Sequence, residues 1–211
     1  MTRKTGMLFD LDGVLVDSEG EYSVFWGSMG DKYGLGADFK DRIKGETLTE
    51  ILKQFPEGDR EAIQNALYDF EAYLDYIVYP CFTEFFYRLR EAGIPSAIVT
   101  SSDNAKMEKL FKRRPEMRNA ATKVITADMV TKSKPDPQPY LIGAEAIGVP
   151  IEDCFVFEDS VHGLKSAKAS GGTVVGIVST NPGEVVASYA DILATGLSEI
   201  DLQTLLEKNK L

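Results

Sequence analysis

The chain has 211 residues, 44% of them apolar, and a formal net charge of −10. That length allows one large domain, or one domain with a small companion, and the apolar share is that of a soluble globular protein. The acidic balance argues against non-specific nucleic-acid binding and against an anionic membrane surface, and no apolar run approaches a membrane span.

Residues 6–9 are a short apolar run that reads as a buried strand. Asp10 and Asp12 follow, and in an extended segment residues two apart face the same side. Gly13 then lets the chain turn at once. Crowded carboxylates call for a cation or a shared proton; the plainer alternative is a polar turn after a strand. Ser18 is placed to cap a helix over 19–33, with Tyr22, Phe25, Trp26 and Met29 at helical spacing and Gly34 and Gly36 at its end. A polar loop of Lys44, Gly45, Glu46 and Thr47 precedes a helix over 48–55, stopped by Pro56 and Gly58. Asp59 should cap a long helix whose stripe runs Ala62, Ile63, Ala66, Leu67, Phe70, Tyr73, Leu74 and Ile77. Residues 18–79 thus read as all-helical, and their aromatic stripe as core.

From Pro80 onward strands and helices alternate. Helices are expected at 82–92, 104–113, 138–147 and 162–169, with Pro139 in a first turn, and strands at 95–100, 123–126, 154–158 and 173–178. A last short strand at 191–193 precedes a final helix. Near-continuous apolar strands alternating with helices indicate a parallel α/β sheet, whose binding crevice lies at the carboxyl ends of its strands.

The two cysteines, Cys81 and Cys154, lie in apolar contexts without metal-type spacing and read as reduced core residues. Residues 1–5 are polar and hold no signal-peptide core, so a cytoplasmic location is expected. A single histidine, His162, removes His-rich zinc hydrolases and makes a Ser-His-Asp triad improbable.

Four strand ends or adjoining loops carry chemistry: Asp10 and Asp12; Thr100, Ser101 and Ser102; Lys134 in a Pro-bounded loop; and Glu158, Asp159 and Ser160. Singly, each has a bland reading as a helix cap, a solvated cation or a first-turn acid pair. Together, in this order, they resemble the haloacid dehalogenase-like hydrolases, and within them the branch of β-phosphoglucomutase and small sugar-phosphate phosphatases. The resemblance covers nearly the whole chain. It implies an α/β fold in which residues 1–16 and 80–211 form a Rossmann-like parallel-sheet core and residues 17–79 an inserted small all-helical cap. It makes Asp10 the nucleophile and Asp12 the general acid/base. Thr100 and the backbone of Ser101 would hold phosphoryl oxygens, and Lys134 would add positive charge. Mg²⁺ would be held by Asp10, the Asp12 backbone carbonyl and Asp159, with Glu158 acting through a water. A nearby negative charge would raise the Asp12 carboxyl and favour its protonated form before attack.

The resemblance further implies a magnesium-dependent phosphohydrolase of a small phosphorylated metabolite, working through an aspartyl-phosphate. Tyr22, Trp26, Lys44, Gly45, Glu46 and Thr47 are the expected specificity residues of the cap. No nucleic acid or membrane partner is expected, and the chain is expected to be a monomer or weak dimer. Two departures bear on a mutase alternative. Tyr22 stands where the mutases carry a cap histidine, and Leu48 where they carry an arginine. An acid at position 12 argues against a dehalogenase. A third reading is a non-catalytic module that binds a phosphorylated ligand.

Overall fold

The protein is described by a computed structural model over residues 4–208; the start of the polar segment read at 1–5 lies outside the described residues. The strands are β1 (Gly6–Phe9), β2 (Val16–Asp17), β3 (Ile77–Val78), β4 (Ser96–Val99), β5 (Lys123–Ile125), β6 (Cys154–Glu158), β7 (Thr173–Ile177) and β8 (Ile192–Ala194). The helices are α1 (Glu19–Tyr33), α2 (Phe39–Arg42), α3 (Leu48–Lys53), α4 (Arg60–Ala72), α5 (Phe82–Glu91), α6 (Asn104–Arg113), α7 (Gln138–Ile147), α8 (Val161–Ser170), α9 (Gly183–Ala187) and α10 (Leu202–Lys208).

Six strands make one parallel sheet in the order β5-β4-β1-β6-β7-β8. The α/β Rossmann-like expectation holds. β1 is central and fully buried, and its alternation divides the core. Met7 and Phe9 face α5 and α6 in a cluster with Phe85, Phe86, Met107 and Phe157, where Phe9 stacks on Phe157 at 4.4 Å between ring centroids. Leu8 faces the opposite layer, with Tyr140 and Ala144 of α7 and Leu164 of α8. Removing a buried phenylalanine such as Phe9 costs roughly 3–5 kcal/mol in transfer and cavity terms. β1 pairs with β4 on one side (Phe9↔Ile98) and with β6 on the other (Phe9↔Phe157). The chain order therefore reverses across β1, and a crevice opens at the carboxyl ends of these three strands.

Helices α1 to α4 carry a separate apolar cluster centred on Trp26, Phe39, Phe55, Ile63 and Leu67. The stretch 18–79 is not all-helical. α4 ends at Ala72, and β3 pairs antiparallel with β2 through Val16↔Val78 and Asp17↔Ile77. Tyr73 and Ile77, read as part of the α4 stripe, are 84% and 55% exposed. The reversal comes at Tyr76, whose φ of 47° turns the chain out of the helical path. Asp59 makes no side-chain cap bond, because a short 3₁₀ turn over Glu57–Asp59 already leads into α4. Cys154 is buried, but Cys81 is exposed: at φ 67° it is the residue before α5 and its thiol points away from the core that Phe82 enters. Among the described residues no helix is long and apolar enough to cross a membrane.

Candidate active site

Asp10 follows β1 directly, and its N–H continues the ladder to the Phe157 carbonyl at 3.0 Å. The register sets it beside Val99 and Glu158. Lys134 reaches the same spot from the loop before α7. Its ammonium lies 2.7 Å from Asp10 Oδ1, 2.5 Å from Glu158 Oε1 and 3.2 Å from the Val99 carbonyl. It also sits over the Tyr140 ring, 4.8 Å from the centroid. Burial and Glu158, against the opposing pull of Lys134, bring the Asp10 carboxyl up to about 7. Burial alone would lower Lys134, but Asp10 and Glu158 outweigh it and hold the ammonium charged beyond the ordinary lysine value.

Glu158 is completely buried and both of its oxygens are taken. Oε1 accepts from Lys134 and from the Tyr140 hydroxyl at 2.7 Å. Oε2 accepts the N–H groups of Asp159 and Ser160 and the Ser160 hydroxyl. A water on this carboxylate must displace one of those donors. Asp159 is the opposite case. It is buried, and neither carboxylate oxygen has a hydrogen-bond partner. Burial, then the charges of Glu158 and Asp10, push it well above the usual carboxylate range, while the nearby Thr180 hydroxyl pulls weakly the other way without hydrogen-bond geometry. Gly13 makes the room: at φ 81°, a Cβ there would run into the Asp159 carboxylate.

Asp10, Glu158 and Asp159 each offer an oxygen within 4.8 Å of the others, three carboxylates against the single ammonium of Lys134. Such an all-oxygen, excess-negative set fits a hard divalent cation. The Asp159 oxygens, which accept no hydrogen bond, are the ones such a cation would meet.

Asp12 lies two residues beyond Asp10 and forms an isolated bridge with Val16. Ser18 makes no cap bond at α1; its hydroxyl donates to Asp12 Oδ1 instead. Oδ2 receives Lys106 Nζ at 2.7 Å and the Ser102 hydroxyl at 3.3 Å. Burial favours the neutral acid, but Lys106, with Ser18 and Ser102, outweighs it and holds Asp12 below its ordinary value. The raised, protonated Asp12 expected from a neighbouring negative charge is therefore not the state this arrangement keeps; the cation on α6 dominates.

Thr100 is buried after β4, and its Oγ1 accepts the Ser102 N–H at 3.0 Å. The Ser101 hydroxyl points to the loop before α3 and donates to the Gly45 carbonyl at 2.7 Å. On that side a cavity opens over Asp10, Asp12 and Thr100, walled by Tyr22, Trp26, Lys44, Gly45, Glu46 and Leu48 among others. Trp26 is also part of the α1–α4 core and only 5% exposed. Lys44 is neutralised by Glu19 and Asp41. Thr47 is not on the cavity wall: its hydroxyl caps α3 by accepting the Glu50 N–H.

Lys106, Tyr140 and Glu71 were not legible as site residues. Lys106 looks like a solvated helix charge, yet it adjoins Met107 and Leu110 on the buried side of α6. A tyrosine within the apolar face of α7 does carry a signal, since a buried hydroxyl needs a partner; Glu158 is that partner.

A family model described as haloacid dehalogenase-like hydrolase matches residues 5–171. The chain is 32% identical over 183 residues to hexitol phosphatase A of Escherichia coli (strain K12), covering 83% of each chain. It is 30% identical over 209 residues to a phosphorylated carbohydrates phosphatase of Thermotoga maritima, covering 92% of this chain and 95% of that one. A hydrolase from Pseudomonas syringae superposes with a TM-score of 0.82 at 25% identity, covering 97% of this chain and 99% of that one.

Proposed function

The chain belongs to the haloacid dehalogenase-like hydrolase family, and on that premise we propose that it is a Mg²⁺-dependent phosphohydrolase of a small, sugar-phosphate-like metabolite, acting through an aspartyl-phosphate on Asp10. The observation that carries this reading is the buried Asp159 carboxylate without a partner, set beside Asp10 and Glu158. Relatives named as phosphatases of hexitol phosphates and phosphorylated carbohydrates support the substrate class.

Asp10 and Asp159 would hold Mg²⁺ with the Asp12 backbone carbonyl, and Glu158 would shape the site chiefly by fixing Lys134. Bound there, the ion neutralises charge on the phosphoryl oxygens and orients them. The free oxygen of Asp10 attacks phosphorus in line with the ester oxygen, while Lys134 holds the other oxygen and offsets the negative charge. The O–P bond forms as the ester P–O bond breaks, and Asp12 gives its proton to the departing alkoxide. Held as a carboxylate by Lys106, Asp12 needs that proton first; an arriving phosphate dianion raises its pKa. It then takes a proton from the water that attacks phosphorus, which frees Asp10 and releases inorganic phosphate. General acid/base help of this kind is worth roughly 10²–10⁴-fold.

Residues 17–79 would serve as the cap of this core, hinged at the β2–β3 ribbon. Leu48 and Tyr22 put no cation at those two positions of the cavity wall, and of the wall lysines Lys40 and Lys44 the latter is already paired with Glu19 and Asp41, which favours hydrolysis over phosphosugar transfer. The test is a screen of phosphate esters by kcat/KM in magnesium, with Asp10→Asn alongside. Magnesium-dependent phosphate release that disappears in Asp10→Asn supports the reading; release unaffected by the substitution, or none from any ester, overturns it. The latter result would favour a binding module.

A further inference from the structure

Helix α6 presents one polar stripe to the helices that cover the site. Asp103 accepts from the Tyr68 hydroxyl at 2.7 Å, Lys106 meets Tyr22 and Asp12, Lys109 pairs with Glu71 at 3.0 Å, and Arg113 pairs with Asp75 at 2.9 Å. Steps of three and four residues put all four on one helix face. Lys106 is the one that reaches the reacting groups. It is buried, its N–H is capped by Asp103 at 2.8 Å, and its ammonium lies 4.3 Å from the centre of the Tyr22 ring. That ring is fixed in turn, because the Tyr22 hydroxyl donates to Glu71 Oε1 at 2.9 Å and Lys109 holds the other Glu71 oxygen. The Lys106 side chain therefore has one direction left, onto Asp12 Oδ2. Of the three donors on Asp12, it is the only charged one; the others are the hydroxyls of Ser18 and Ser102.

We propose that Lys106 is a positioning residue for Asp12, holding its carboxylate in the orientation that faces the leaving-group oxygen. The inference rests on the phosphohydrolase reading above. Lys106 touches neither the phosphorus nor the nucleophile; it acts through Asp12. A carboxylate freed of it keeps two neutral hydroxyl donors and can turn about its Cα–Cβ bond, so its proton no longer meets the departing oxygen in a fixed line. The loss then falls on substrates whose leaving group needs that proton.

The experiment compares Lys106→Met with the wild type on two magnesium-supported substrates, an alkyl phosphate and p-nitrophenyl phosphate. Lys106→Met should lower kcat for the alkyl ester about 10–100-fold, part of the general-acid contribution, and kcat for the aryl ester by less than about threefold. Arg113→Met is the control, since it removes a charge from the same stripe at its exposed pair with Asp75 and touches neither Asp12 nor the Tyr22–Glu71 contact; it should leave both rates unchanged. If Lys106→Met does not fold, as judged by its thermal transition, Lys106→Gln keeps a donor without the charge and the same split is expected of it. Equal losses on both substrates, no loss on either, or the same split in Arg113→Met overturns the positioning role while the phosphohydrolase reading stands. A wild type that releases no phosphate from either substrate overturns both.

Discussion

The Ser101 hydroxyl donates to the Gly45 carbonyl at 2.7 Å, joining the loop after β4 to the loop before α3 across 56 residues of chain. One more contact holds the same loop, and the packing at Gly45 is close. His162 Nδ1 lies 3.1 Å from the Lys44 carbonyl, and a Cβ on Gly45 would come within 2.6 Å of Ser160 Oγ. Gly45 is thus where the covering helices and the strand ends touch.

Gly45→Val should open that seam. At φ 84° a β-branched residue is held in the left-handed region at a cost of roughly 1–2 kcal/mol, and its side chain pushes on Ser160 besides. The expected result is a rise in KM or a fall in kcat of about tenfold for the physiological ester, in proportion to that cost. Inhibition by inorganic phosphate should change little, since it needs only the strand ends. Steady-state kinetics with phosphate as competitor checks this, and unchanged kinetics would show that the loop does not contribute.

Asp159 and Glu158 are adjacent acids for which the proposed site predicts opposite dependence on metal. Asp159→Asn removes a buried carboxylate that has no partner, so the metal-free variant should melt at or above the wild-type temperature. Magnesium should raise the Tm of the wild type and not that of the variant, because ligand stabilisation follows occupancy. Glu158→Gln leaves Lys134 paired with Asp10 but weakens the acceptor for the Asp159 and Ser160 N–H groups, and should lose about 1–3 kcal/mol with or without magnesium. Thermal melts across a magnesium series separate the two. A magnesium-dependent Tm rise surviving in Asp159→Asn would remove it from the ligand set.

How far the sequence reveals each element depends on what marks it. The expected bounds of α6 and α7 match the structure, α7 because Pro139 suits its first turn and Gly148 follows its end. β6 was placed because five apolar-to-acidic residues run between turn signals. The two-residue strands β2 and β3 have no period to read, so the segment ending at Tyr79 looked helical throughout. Hydropathy around Cys81 says nothing of a positive φ, and so nothing of which way the thiol points. The acids and Lys134 stood out as motif residues, whereas Lys106 did not: a lone charge in a helix gives no sign of pointing inward at Asp12, 94 residues away.

Away from the site, Asp191 ties β7 to the start of β8. Its Oδ2 accepts the Val174 N–H at 2.9 Å and its Oδ1 meets Lys168 Nζ at 2.6 Å. Partial burial works against the charge, but the Lys168 and Val174 hydrogen bonds outweigh it and lower the carboxyl's pKa. A lowered folded-state pKa stabilises above the unfolded value and is lost as pH falls through the folded one. Asp191→Ala should therefore cost about 1 kcal/mol, kept small by solvent screening of the half-exposed pair. Denaturant titrations should show that gap constant from about pH 5 to 8 and narrowing below about pH 4, the ordinary aspartate range. A gap that widens in acid would reverse the assignment.

The last prediction separates hydrolysis from phosphosugar transfer. A mutase has to keep its aspartyl-phosphate from water while the bound product turns over and is phosphorylated again. In the mutases this chain resembles, a cap histidine and a cap arginine serve that end; here the positions hold Tyr22 and Leu48. The Tyr22 hydroxyl is committed to Glu71, and burial followed by the Glu71 charge pushes it well above its ordinary value, so it stays neutral and exchanges no proton near neutrality. Leu48 brings no charge to the cavity wall, where Lys40 also stands and Lys44 is already paired with Glu19 and Asp41. Asp12, kept as a carboxylate by Lys106, is meanwhile in the form that takes a proton from water. With β-glucose 1-phosphate, a trace of the 1,6-bisphosphate and magnesium, the expected product is free phosphate, with little glucose 6-phosphate. Rapid glucose 6-phosphate formation without phosphate release would show that water is excluded from Asp10, and would make transfer the reaction. Replacing Tyr22 by histidine and Leu48 by arginine together should then shift the wild-type balance toward transfer, a change that coupled assays of the two products on one sample resolve.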